Sequence, residues 1–165
     1  MKRATFFIGV GGLALILIGS VISPQKRVIW NRTDSAPTGI YWMQNKHPGK
    51  GDLVVVSADS EAAVWAQTHG FVDEDWPLLK SVAGQAGDRI CRLNGQIYIN
   101  QKQEATAQAR TSQALKLPEW TGCRTLLEHE VFLLNPHPKS LDGRYFGPTK
   151  IDDVDGVAVL LFSIN

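Results

Sequence analysis

Hydrophobic and polar positions are distributed unevenly along the chain. Ala4 to Ile22 is a run of nineteen residues without a charge. A bilayer core of about 30 Å takes about 20 residues of helix, so this run is long enough to span. Lys2 and Arg3 precede it, and Pro24, Lys26 and Arg27 come after it. The positive-inside rule places the short N-terminus in the cytoplasm, and Lys26 and Arg27 weaken that assignment without reversing it. A cleavable signal peptide is the alternative. Its apolar region is usually about 7–15 residues, shorter than this one, but the small residues Gly19, Ser20 and Ser23 lie where a cleavage site would fall. Both readings export the rest of the chain. The expected division is therefore a membrane anchor or signal segment over 1–23 and an exported domain over 24–165.

Beyond the anchor the apolar runs are short and turn signals recur. Arg27 to Trp30 reads as an extended lead-in. Asn31 to Gly39 is polar and broken by Pro37 and Gly39, which predicts a loop. Strands are predicted over Ile40–Met43, Leu53–Val56, Leu78–Ala83, Arg89–Leu93, Gln96–Asn100, Val131–Asn135 and Val157–Ile164. Asn94-Gly95 marks a tight hairpin between two of them. Ser60 to Thr68, with Ala62, Ala63, Val64 and Ala66, predicts a short helix. Gln101 to Gln113 is polar with no regular face and reads as a mobile insertion. Helical periodicity is scarce, so the exported domain is expected to be mainly β.

Composition narrows this picture. At 165 residues there is room for one domain, and 44% hydrophobic against 20% charged residues implies a packed core. A formal net charge of +1 leaves no electrostatic footprint for nucleic acid, so no direct nucleic-acid binding is expected. The two cysteines, Cys91 and Cys123, form no C-x-x-C and no zinc-finger spacing. In an oxidising compartment they most simply form one disulfide; two buried free thiols are the alternative. His47, His69, His129 and His137 have no second ligand at metal spacing, and no metal is expected. No Gly-x-Ser-x-Gly elbow is present.

Ser35 with Lys80 is the sharper constellation. Ser35 lies just outside the apolar run, two residues before Pro37, whose fixed φ stiffens the turn. Lys80 sits among Pro77, Leu78, Leu79, Val82 and Ala83. Near pKa 10.4, about one lysine in 2,500 is neutral at pH 7. Desolvation lowers that pKa, and a neutral lysine is able to take a serine proton as general base. The plainer alternative is a strand lysine whose ammonium snorkels to water.

Four segments resemble, in order and spacing, the boxes of the Ser/Lys type I signal peptidases. Asn31-Arg32-Thr33-Asp34-Ser35-Ala36-Pro37-Thr38-Gly39-Ile40-Tyr41 is similar to the nucleophile box. Lys50-Gly51-Asp52-Leu53-Val54-Val55-Val56 resembles the strand after that box. Leu78-Leu79-Lys80-Ser81-Val82-Ala83-Gly84-Gln85-Ala86-Gly87-Asp88 is similar to the lysine box, and Ser140-Leu141-Asp142-Gly143-Arg144-Tyr145-Phe146-Gly147-Pro148 to the last one. The resemblance spans nearly the whole chain except Gln101 to Gln113. Within that family the chain looks most like the TraF-type conjugative transfer signal peptidases. It departs from the general leader peptidases at Ala36, where they carry Met, and at Gly143, where they carry Ser.

The resemblance implies a mainly β, LexA/signal peptidase-type domain on a single N-terminal transmembrane helix. It implies Ser35 as nucleophile and Lys80 as general base. Thr33 stands where the family places a side-chain oxyanion donor; a local turn hydroxyl is the alternative. Ser140 matches the serine that orients the lysine, and Asp142 with Arg144 a supporting pair. No cofactor is implied. The implied place is the bacterial inner membrane with the catalytic domain in the periplasm. The implied partners are the lipid bilayer and a pilin precursor, or another membrane-presented preprotein. The alternatives are a general leader peptidase and an inactive membrane-anchored scaffold; intact Ser35 and Lys80 argue against the scaffold.

Overall fold

The structure is a computed structural model and describes residues 27–164. The anchor or signal segment expected over 1–23 lies outside the described residues. Among the described residues no helix is long and apolar enough to cross a membrane.

Among the described residues, eleven strands form two sheets. β1 (Val28–Asn31), β2 (Gly39–Gln44), β3 (Leu53–Val56), β4 (Leu78–Gly84), β9 (Glu130–Leu133), β10 (Thr149–Lys150) and β11 (Val154–Ser163) make the larger one. Its order is β1-β2-β11-β3-β4-β9-β10, and every pairing is antiparallel. The smaller sheet comprises β5 (Arg89–Leu93), β6 (Gln96–Ile99), β7 (Lys102–Thr106) and β8 (Gly122–Thr125), ordered β7-β6-β5-β8.

β3 shows why this sequence builds a two-faced core. It lies between β11 and β4, and its valines are buried on both faces. Val54 and Val56 pack with Leu78, Val82, Val131, Leu133 and Val157. Val55 packs the other way, with Ala36, Tyr41, Met43, Leu79 and Ala158. Bulges between Val82 and Gly84, Val154 and Gly156, and Leu160 and Phe162 bend the strands. α1 (Glu61–Thr68) crosses between β3 and β4; the Ser60 hydroxyl caps it by accepting from the Ala63 N–H at 3.2 Å.

The segment Gln101 to Gln113 corrects the expected mobile insertion. Lys102–Thr106 is strand β7, paired to β6 from Ile99↔Lys102 to Gln96↔Thr106. The turn uses Asn100 and Gln101 at φ 48° and 72°, the left-handed pair of a tight hairpin. An edge strand whose one half-buried residue is Ala105 needs no apolar alternation, so its sequence carried no strand pattern. The backbone ladder supplies its order instead.

Cys91 and Cys123 are directly opposite on β5 and β8 and form a disulfide across a sequence separation of 32. In the chain-entropy account, closing such a loop contributes about 3–4 kcal/mol.

Candidate active site

The nucleophile-box loop between β1 and β2 is wound around one side chain. Asn31 is buried, and its amide Nδ2 lies within hydrogen-bond distance of the carbonyls of Thr33, Ala36 and Pro37 at 2.9–3.0 Å. Its Oδ1 accepts from the Thr33 N–H at 3.1 Å and the Thr33 hydroxyl at 2.9 Å. Asn side chains fold local backbone in this way because their amide mimics a peptide group. Tyr41 adds a bond from its hydroxyl to the Pro37 carbonyl at 2.6 Å. Ala36 turns into the core, which leaves Ser35 half-buried at the rim. The Ser35 Oγ lies 3.2 Å from the Thr33 Oγ1. With the Thr33 proton directed at Asn31, the Ser35 hydroxyl is the donor of that pair.

Lys80 is on β4, opposite Val54 and on the same side of the strand as Leu78 and Val82. It is 5% exposed. Its Nζ donates to the Ser140 Oγ at 3.3 Å, and Ser140 is itself buried. Burial lowers the lysine pKa from 10.5 to about 8, while Asp142 pulls it up and Arg144 pushes it down. This ammonium does not snorkel.

Behind Lys80 lies a buried charge network. The Arg144 Nε and Nη2 donate to the two Asp142 oxygens at 2.7 and 3.0 Å, a bidentate pair 2% and 3% exposed. Arg144 also reaches the Asn135 carbonyl at 2.7 Å and the Pro138 carbonyl at 3.0 Å. Asp142 caps the single-turn helix α2 (Gly143–Phe146) and accepts from the Asn135 N–H at 3.0 Å. Asn135 closes the circuit to the lysine. Its side chain accepts from the Ser81 N–H and donates to the Leu79 carbonyl, both at 2.9 Å. It therefore grips β4 on both sides of Lys80.

Thr33, Ser35, Lys80 and Ser140 come from separate parts of the sequence and line one cleft of about 160 Å³. Leu78, Leu79, Phe71 and Trp76 supply much of its apolar wall. Arg32 lies over the Trp76 ring at 4.6 Å and bridges to Asp73 at 3.3 Å, tying that wall to the nucleophile loop. Asp142 and Arg144 stand behind the cleft; Cys91 and Cys123 lie in the other sheet. All four histidines are exposed, with His69 stacked on Trp65 and His137 accepting from the Lys139 N–H. Among the described residues no group of His, Cys, Asp and Glu is placed to hold a metal ion. Asn31 and Asn135 are the positioning residues that sequence reasoning missed. The one signal for Asn135 was its place before Pro136, a turn-initiating pair.

A search of curated proteins returned no match. Among solved structures, the crystal structure of a signal peptidase I from Enterococcus faecalis V583 is 20% identical, covering 69% of this chain and 98% of that one with a TM-score of 0.40. That likeness is too distant to argue from. The family comparison is not: residues 1–163 match the signal peptidase, peptidase S26, family. The chain belongs to that family of serine-type signal peptidases.

Proposed function

We propose that the cleft is the active site of a Ser/Lys peptidase in which Ser35 attacks the scissile carbonyl and neutral Lys80 takes its proton. The observation that carries this reading is the buried Lys80 ammonium, held by Ser140 within the cleft that Ser35 lines. As the Ser35 oxygen bonds to the carbonyl carbon, its proton passes to the Lys80 amine and the carbonyl oxygen gains charge. The Ser35 backbone N–H and the Thr33 hydroxyl, once turned away from Asn31, stabilise that oxyanion. Collapse expels the amine, which takes the proton from Lys80 and leaves an acyl-enzyme. Ser140 orients the Lys80 amine, while Asn135, Asp142 and Arg144 hold its strand.

The lowered pKa has a consequence for rate. At pKa about 8, roughly one Lys80 in ten is neutral at pH 7, against roughly one in 3,000 at 10.5. The base is the deprotonated form, so kcat/KM should rise with pH through about 8 and then level off. A pH profile of peptide cleavage that rose only near pH 10 would remove Lys80 as a desolvated base. Stability has the same sign. Between about 8 and 10.5 the unfolded chain binds a proton the folded chain has lost, so folding gains with pH across that window.

The substrate reading rests on position and resemblance. Ser35 lies only thirteen residues beyond Ile22, which holds the nucleophile near the bilayer if residues 4–22 anchor the chain. A preprotein embedded in the same inner membrane presents its periplasmic segment there. The TraF-type form of the nucleophile box and last box favours a conjugative pilin precursor over general secretory preproteins. Water attacking the acyl-enzyme gives a linear pilin, and the pilin's own amine gives a ring; tethering both ends at one surface raises the amine's effective concentration. Intact-mass measurement of a co-expressed pilin distinguishes the outcomes. A cyclised product lies about 18 Da, one water, below the linear species. Unprocessed pilin alongside cleaved secretory preproteins would instead establish general leader-peptidase activity.

A further inference from the structure

The cleft does not end at Ser140. A second cavity of about 380 Å³ adjoins it and shares Phe71, Lys139 and Leu141 with it. Its far wall is built by the segment after β7, including Arg110, Thr111 and Ser112. That segment is a folded strap. The Gln108 N–H donates to the Tyr145 hydroxyl at 3.1 Å, which fastens the strap to α2. Arg110 and Lys116 pair across it through their backbones, the Thr111 N–H reaches the Leu115 carbonyl at 2.9 Å, and Leu117 is buried beneath. One Arg110 Nη1 bond, to the Ala114 carbonyl at 2.8 Å, holds the guanidinium at the strap's neck and leaves its other donors available. Lys139, which lines both the cleft and this cavity, is exposed and makes no side-chain ion pair among the described residues. The described lining thus carries two cations, the hydroxyls of Thr111, Ser112 and Tyr145, and no carboxylate.

We propose that this cavity is a substrate subsite for a carboxylate, which the cleaved peptide supplies a few residues from the scissile bond. A peptide lying along the cleft past Ser140 has Leu141 and Phe71 as its floor and wall. It then meets Arg110 and Lys139, a fork and a point charge that together suit a carboxylate with hydroxyls around it. An Asp or Glu side chain and a free peptide C-terminus share this chemistry. Arg110, Thr111 and Ser112 belong to the segment outside the boxes and do not line the cleft around Ser35 and Lys80, so the subsite acts on substrate choice rather than on bond cleavage. The inference rests on the cleft being a peptide site.

The test is binding to the full-length Ser35→Ala protein in detergent micelles, read by fluorescence anisotropy. The probes are alanine-rich decapeptides: one set with a Glu scanned through every position and an amidated end, one with Gln in its place and an amidated end, and one with Gln and a free carboxylate. At least one carboxylate-bearing set should bind about 1.5- to 5-fold more tightly than the Gln amide, the range for partly exposed charge pairs. Which set does so identifies the source. In Arg110→Glu/Lys139→Glu, checked by thermal melting, that advantage should vanish and Lys-bearing peptides should gain instead. Equal binding of all three sets overturns the subsite and leaves the cleft intact. Binding of no peptide overturns the peptide cleft and the subsite with it.

Discussion

Ser35→Ala and Lys80→Met should each reduce precursor processing by about 10⁴-fold or more, and the double variant should be no worse than either single one. A serine without a base is a poor nucleophile at neutral pH, and a base without the serine has no proton to take. The two therefore fail as a unit rather than additively. Neither change should unfold the domain. Ser35 is at the rim, and among the described residues its Oγ is bonded to Thr33 alone. Met fills nearly the same volume as the lysine stem, and it removes an ammonium that is 5% exposed. Its melting temperature at pH 7 should therefore match or exceed that of the parent. Single-turnover cleavage in detergent, with circular dichroism of each variant, is the measurement. If Lys80→Met still processed precursor while a histidine variant such as His137→Ala did not, the Ser/Lys assignment would be wrong.

Asp142→Ala is expected to be the most destabilising single change behind the site, by about 3–5 kcal/mol. It strands the Arg144 guanidinium, 2% exposed, without its bidentate partner. It also removes the acceptor for the Asn135 and Arg144 N–H groups. A loss of that size is a large share of the roughly 5–15 kcal/mol typical of a whole domain. Urea unfolding followed by tryptophan fluorescence reads it, and a change under about 1 kcal/mol would mean the pair is dispensable. Asp142→Asn keeps acceptor atoms and should fold better. It should also move the rising limb of the pH profile below about 8, because the charge that pulls Lys80 up is gone while Arg144 still pushes it down.

The parts legible in sequence were those whose signal is local. β3 appears at its predicted bounds because three consecutive valines suit a strand buried on both faces. The β5–β6 hairpin arises from Asn94-Gly95, which adopt positive φ as that dipeptide favours. β8 went unread because Gly122–Thr125 is half-buried to exposed throughout and owes its existence to β5 and the disulfide. α2 is one turn long, too short for a period, and is set by its Asp142 cap. Thr33, Ser35, Lys80 and Ser140 could be named from motif order, and they line one cleft. Asn31 and Asn135 were invisible for a physical reason. Side chains that bond to backbone leave no periodicity and no charge pattern, only a geometry that appears once the chain has folded.

At Gly143, where the resemblance to general leader peptidases would place a serine, β9 leaves no room for a side chain. A Cβ built at Gly143 would lie 2.7 Å from the Leu133 carbonyl oxygen and 2.9 Å from the Phe132 ring. Phe132 is fully buried, packed edge-on against Trp120, whose indole N–H donates to the Gly143 carbonyl at 2.9 Å. The three positions are thus one mutational unit. A lineage carrying this Phe132 is barred from regaining the serine by a single substitution, since the intermediate would have to displace backbone or an aromatic ring that has nowhere to go. A smaller residue at 132 removes only the ring contact, so the path to a side chain at 143 also needs the β9 backbone at Leu133 to shift before residue 143 is enlarged. Ancestral reconstructions of such chains should show the changes in that order, with glycine at 143 wherever an aromatic occupies 132.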